Sequence, residues 1–252
     1  MESLKFWKPE GFDIASYKWL LEERKNKEIL GNGSDTGSCY YTFNELGFRG
    51  DSVKKKGFKV MSLGCSITEG VGVNDNETWP AQFCSHIENA VNFNFGTGGR
   101  SNDFICRCLM SYYDLIKPNL ILIMYTYPHR KEYYTTDGGI EPFIPSLKWG
   151  YMEETDTGKI IQNNLSQIQN DNEDFINWYK NHQLIKLFLE SKKCNWSWNG
   201  TFLKTDYTDK NRFDGNYANF IDVGADDTHP GPKHNALYVN HLHGHFIDKK
   251  IW

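Results

Sequence analysis

"GFKVMSLGCSITEG", residues 57–70, decides the fold of this chain. Its first half has the near-continuous apolar character of a strand buried on both faces, as strands of a parallel sheet are. Its second half is a tight run of small residues that sets two nucleophiles side by side, Cys65 and Ser66. Taken alone, the stretch does not choose between chemistry and a turn.

Downstream, "TWPAQFCSHIENA" reads as a helix, with Thr78 as N-cap and Pro80 in the first turn, where a missing N–H costs little. "VNFNFG" is a second strand, "SNDFICRCLMSYYDLI" a second helix opening on a Ser-Asn-Asp cap, and "NLILIMYTY" a third strand. Strands separated by helices of this length pair in parallel, so the β-α-β-α-β order predicts an open doubly wound α/β sheet. Further on, "EDFINWYKNHQLIKLFLESK" is an amphipathic helix, "CNWSWNGTFL" a fourth strand, "FIDVG" a strand-like stretch and "PKHNALYVNHLHGHFIDKKI" the last helix. Upstream, "IASYKWLLEERKNKEIL" (14–30) predicts a helix, and "YYTFNELGFRGD" an extended approach to the first core strand. The expectation is one domain over 1–252, with 1–50 packed on it and an aromatic- and Asn-rich insertion at 131–170 acting as a cap or lid.

Composition narrows the function classes. With 39% hydrophobic and 15% aromatic residues the 252-residue chain has ample material for a core, which argues against global disorder. A net charge of -4 gives no electrostatic reason to expect nucleic acid or an acidic membrane as partner. No window approaches the ~20 apolar residues that span a bilayer, and the N-terminus lacks a basic region followed by an apolar one. A soluble, cytoplasmic protein is expected, of a composition that suits a bacterial or phage genome. The six cysteines, at 39, 65, 84, 106, 108 and 194, show neither paired CxxC zinc spacing nor the density of a disulfide scaffold. His241 and His245 share a helix face at i and i+4, but no carboxylate or cysteine stands at matching spacing, so no metal or cofactor is expected.

In open parallel sheets ligands bind outside the carboxyl ends of the strands. After the first strand comes Gly64-Cys65-Ser66, after the second Gly96-Thr97-Gly98-Gly99, and after the third "TYPHR". "ADDTHPGPKHN" then sets Asp226 and His229 three residues apart, so that one turn presents both. Serine becomes a nucleophile when a base takes its proton, and the base works best when a third group fixes its tautomer. Ser66, His229 and Asp226 supply those roles, and the amides of Ser66 and Gly99 are candidates for an oxyanion hole.

These blocks resemble those of the SGNH (GDSL-like) hydrolases. The family's first block, Gly-Asp-Ser-x-Thr-x-Gly, is similar to Gly64-Cys65-Ser66-Ile67-Thr68-Glu69-Gly70, its second to "NFGTGGRS", and its last, Asp-x-x-His, to Asp226-Asp227-Thr228-His229. The resemblance implies a flavodoxin-like three-layer α/β/α sandwich with a parallel sheet of about five strands. It also implies a serine esterase in which Ser66 attacks and Gly99 stands in the oxyanion hole. Two positions depart from the pattern: Cys65 replaces the usual aspartate, and "YTYPHR" lacks the third-block asparagine that donates to the oxyanion. Candidate replacement donors are Asn102, Tyr127 and His129, and candidate substrate contacts are Arg100, Arg130, Tyr133, Tyr134 and Trp149. The expected substrate is a small-molecule or carbohydrate ester with a small acyl group such as acetyl. An acyltransferase on the same fold, or a retired binding module, is the alternative, and the oligomeric state stays open.

Overall fold

The computed structural model describes residues 27–29, 39–134, 140–143, 164, 170–200, 202–203, 207–213 and 219–249. In chain order the strands are β1 (Lys27–Ile29), β2 (Cys39–Tyr41), β3 (Arg49–Gly50), β4 (Phe58–Leu63), β5 (Ala90–Asn94), β6 (Leu120–Met124), β7 (Lys131–Tyr134), β8 (Ile140–Phe143), β9 (Asn195–Asn199) and β10 (Arg212–Phe213). The helices are α1 (Ser66–Glu69), α2 (Trp79–Ser85), α3 (Asn102–Ile116), α4 (Asp171–Lys192) and α5 (Pro232–Lys249), with a 3₁₀ turn at Asp75–Glu77.

The main sheet has six strands in the order β10-β9-β6-β4-β5-β3, five of them parallel and β3 antiparallel at one edge. Ser62 of the central strand β4 faces Asn94 of β5 on one side and Leu122 of β6 on the other. Alternation along β6 explains its unbroken apolar run. Ile121 and Ile123 enter the core under α3 and α4, whereas Leu120, Leu122 and Met124 enter the core under α2 and α5. Phe104, Leu109, Trp178 and Ile185 cover the first face, and Trp79, Phe83, Tyr238 and Phe246 the second. The result is a helix–sheet–helix sandwich.

Local signals place α2 and α3. The Thr78 hydroxyl accepts the Ala81 N–H at 3.3 Å and the Ser101 hydroxyl that of Phe104 at 3.2 Å, each satisfying a donor left open in the first turn. The chain runs from β4 to β5 on one side and then crosses to β6 on the other, so the order of strands reverses at the carboxyl end of β4. That is where a doubly wound sheet opens a crevice.

Three expectations change. Lys27–Ile29, the end of the predicted helix 14–30, is a strand paired antiparallel with β2, because the free edge of Cys39–Tyr41 offers backbone partners that outweigh local helix preference; the rest of that segment lies outside the described residues. "FIDVG" does not enter the sheet: Val223 makes a single bridge to Pro230, while the Asp222 carboxylate accepts the Lys233 and His234 amides at 2.9 and 2.7 Å, capping α5. Helix α4 carries apolar residues on both sides, burying Trp178, Ile185 and Leu189 while exposing Phe175, Ile176 and Leu187. Of the insertion at 131–170, β7 and β8 form an antiparallel ribbon, tied to α3 by Arg107–Glu132 at 2.9 Å and to α4 by Lys131–Glu173 at 2.7 Å. Most of its remainder lies outside the described residues. The six cysteines are free, all but Cys194 buried. No helix among the described residues is long and apolar enough to cross a membrane.

Candidate active site

Ser66 opens α1 directly after β4, at the point where the strand order reverses. The short helix is pressed onto the glycine loop so closely that a Cβ on Gly96 would lie 2.1 Å from the Glu69 nitrogen. No other residue fits that approach. Asn94 stitches the two segments together, its Nδ2 donating to the Thr68 carbonyl at 2.7 Å and its Oδ1 accepting the Gly96 N–H at 2.9 Å. The buried Glu69 carboxylate accepts the Gly98 N–H at 2.6 Å. A Cβ on Gly98 would stand 3.8 Å from that of Ser66, so the loop lies alongside the serine, and Gly99 follows in the left-handed region at φ 70°.

Asp226 and His229 share a turn between Val223 and Pro230. The Gly224 N–H reaches the His229 carbonyl at 2.8 Å, and the Asp226 Oδ1 accepts the His229 backbone N–H at 3.2 Å. The imidazole Nδ1 lies 2.5 Å from Asp226 Oδ2, which also accepts the Thr228 hydroxyl. This fixes the ring with Nε2 outward. Burial raises the Asp226 carboxyl, but the bonds from Thr228 and His229 outweigh it and hold the group below its ordinary range, ionised at neutral pH.

The turn is fastened to the loop that follows α1. Ala225 N–H donates to the Gly72 carbonyl at 2.7 Å, and a Cβ on Gly72 would collide with Asp226 Oδ1 at 2.4 Å. The helix that Ser66 begins thus runs into a short loop, residues 70–75, to whose Gly72 the Asp226–His229 turn is fastened. Among the described residues Ser66 Oγ has a single long contact, 4.0 Å to Cys65 Sγ, and none to His229. The Cys65 side chain is buried.

Of the candidate third donors, Asn102 is fully buried and closes two bonds with the Thr126 peptide, Nδ2 to the carbonyl at 3.1 Å and the amide to Oδ1 at 3.0 Å. It braces the segment after β6 from beneath. Tyr127 is exposed and stacks on His129 with ring centroids 5.3 Å apart, and Phe202 packs against it at 4.7 Å. Burial, reinforced by the charge of Arg130, pushes the His129 imidazole below its ordinary value. The Arg130 guanidinium donates to the Thr126 hydroxyl at 3.1 Å and lies over the Tyr127 ring at 5.1 Å. Arg100, a candidate substrate contact in the sequence, is instead buried against Phe104. Tyr133 is partly buried on β7; Tyr134 is described only in its backbone, and Trp149 lies outside the described residues.

Sequence reasoning passed over four residues of this region: Arg49, Tyr41, Glu69 and Asn94. A polar side chain in the apolar alternation of "VNFNFG" was the available signal for Asn94; nothing local marked Arg49. Among the described residues His182 and Asp209 form a further histidine–aspartate pair, 3.3 Å apart. His241 and His245 do not form a pair: His241 is exposed, while His245 turns to the Ser197 hydroxyl at 3.4 Å. Among the described residues no cluster of three or more His, Cys, Asp or Glu side chains is placed to hold a metal.

No family model matches the sequence, and no curated protein does. Solved structures do resemble the fold. One is a lipolytic protein of the G-D-S-L family from Veillonella parvula, 14% identical over 75% of this chain and 98% of its own, at a TM-score of 0.36. Another is a psychrotrophic esterase of a Pseudoalteromonas species, 13% identical over 77% and 98%, at 0.38. A GDSL-like lipase from Bacteroides thetaiotaomicron is 12% identical over 94% and 100%, at 0.33. At such identity and overlap the roles of individual residues rest on this chain's own geometry.

Proposed function

We propose that the chain is a serine hydrolase of the SGNH type that cleaves an ester of a small acyl group. The observation that carries this reading is the Asp226–His229 pair, joined at 2.5 Å with Nε2 open and fastened through Gly72 to the loop that leaves Ser66. In the reaction Ser66 Oγ bonds to the ester carbonyl carbon while its proton passes to His229 Nε2. The tetrahedral oxyanion is held by the Ser66 and Gly99 amides. Collapse breaks the bond to the alcohol, which takes the proton from His229. Water, deprotonated by the same nitrogen, then attacks the acyl-serine, releasing the acid and restoring Ser66. Asp226 holds the ring and balances the imidazolium.

With no asparagine after β6, the hole lacks a donor worth about 10²–10³ in rate, so slow turnover is expected unless Tyr127 or His129 swings toward the oxyanion. The finer reading, an O-acetyl carbohydrate, is supported by the resemblance of the motifs and by Tyr133 at the start of the insertion. Hydrolysis of p-nitrophenyl acetate by wild type, Ser66→Ala and Cys65→Ala tests the assignment. Activity lost only in Ser66→Ala is expected. Loss only in Cys65→Ala reassigns the nucleophile, and wild type inert toward every ester favours a binding module in the same cleft.

A further inference from the structure

We propose that Arg49 is a positioning residue for this site, holding the loop that joins the Ser66 helix to the Asp226–His229 turn. The inference rests on the serine-hydrolase reading above and adds a residue that no motif contains.

The side chain of Arg49 is 1% exposed, and a guanidinium cannot shed its charge, so it must be met by acceptors. It meets them on one loop. Nη1 donates to the carbonyls of Glu69 and Gly70 at 3.1 and 2.6 Å, and Nη2 to that of Val73 at 3.0 Å. Nε reaches Asp75 Oδ1 at 2.8 Å, and Nη2 the same oxygen at 2.6 Å. The first two carbonyls end α1, the helix that Ser66 begins, and the last two acceptors lie on the far side of Gly72. One planar fork therefore sets the distance between the end of the nucleophile helix and the stretch beyond it.

Gly72 sits inside this span. Its N–H donates to the Tyr41 hydroxyl at 2.6 Å, the Tyr41 ring lies 4.1 Å beneath the guanidinium carbon, and its carbonyl accepts Ala225 N–H at 2.7 Å. Gly224 is packed so tightly on it that a Cβ there would stand 2.6 Å from the Gly72 oxygen. The loop has no slack on the Asp226 side. A shift of its Arg49 side moves Ser66 against a fixed His229, or the reverse. A lysine, which offers a point charge and not a fork, cannot bridge three carbonyls and a carboxylate at once.

The experiment compares wild type, Arg49→Lys and Asp75→Asn. For each, kcat per titrated active site and KM on p-nitrophenyl acetate are measured with the rate of labelling by a fluorophosphonate, at a temperature well below the variant's melting midpoint. Arg49→Lys is expected to lower kcat per site about 10²-fold, the effect of a misplacement of the order of 1 Å, with KM nearly unchanged and labelling slowed in step. Asp75→Asn, whose carboxylate is 34% exposed, leaves the fold in place and is expected to give a smaller loss in the same direction. It carries the test if Arg49→Lys does not fold. A merely structural role would lower the melting midpoint and the number of titratable sites but not kcat per site. Wild-type kcat and labelling in the folded variants overturn the inference alone; a wild type that neither labels nor turns over overturns the hydrolase reading and the inference with it.

Discussion

Two histidine–aspartate pairs stand among the described residues, and their surroundings differ. His182 is fully buried: its Nδ1 is 3.1 Å from the Tyr125 hydroxyl, its Nε2 is 3.3 Å from Asp209 Oδ2, and its ring stacks on Trp178 at 5.4 Å. Asp209 also accepts from Trp198 Nε1 and from the Asn211 amide, both at 2.9 Å. Both imidazole nitrogens are occupied, so this pair has no atom left with which to accept a substrate's proton. His229 uses one nitrogen on Asp226 and leaves the other open. The pairing of residue types is the same; the vacant nitrogen is what fits His229, and not His182, to the proposed role of base.

The open nitrogen of His229 makes its loss the most damaging to turnover. His229→Ala should reduce ester hydrolysis about 10⁴-fold or more, leaving the melting midpoint within a few degrees of wild type. His182→Ala should do the opposite, keeping kcat within about threefold while costing roughly 3 kcal/mol as the ring cage around it collapses. Steady-state kinetics with thermal melts check both. If His182→Ala abolishes turnover in a folded protein, the buried pair is part of the machinery.

The aspartates sharpen the same contrast. Asp226→Asn is expected to lower kcat about 10³–10⁴-fold, since an amide holds the wrong tautomer. Asp209→Asn should leave kcat alone and cost about 2 kcal/mol, read as a drop of about 4–8 °C in the melting midpoint.

A titration gives a further reading. Burial raises the Asp209 carboxyl, but the bonds from His182, Trp198 and Asn211 outweigh it and hold the group at about 2. A carboxyl lowered on folding stabilises the native state fully above its unfolded value, near 3.9, and the contribution is lost as pH falls from about 4 toward 2. Urea melts across that window should show stability falling in wild type and a shallower fall in Asp209→Asn. The smallest effect belongs to Cys65→Ala: activity within about threefold and a loss of about 1 kcal/mol for emptying a small buried site.

The comparison also shows what a sequence displays and what it hides. Strand β6 and helices α2 and α3 were legible because their signals are local: an unbroken apolar run, and Thr78 and Ser101 immediately ahead of their helices. Asp226 and His229 were legible because three residues of turn bring them together. His182 on α4 and Asp209 in the segment before β10 are 27 residues apart, and Tyr125 is farther still. Arg49 is equally silent, since its meaning lies in carbonyls 20–24 positions away that carry no side-chain code. "FIDVG" misled for a related reason: its alternation suits a strand, but the cap that Asp222 places on α5 takes its backbone elsewhere.

On the serine-hydrolase reading, Ser66 Oγ is the nucleophile whose proton the open His229 nitrogen takes. Peptide mass spectrometry of wild type after fluorophosphonate labelling tests it most directly. A single phosphonyl adduct on Ser66 is expected, formed at a rate that collapses in His229→Ala and is unchanged in His182→Ala. An adduct on Cys65 or any other residue, or none at all, contradicts it.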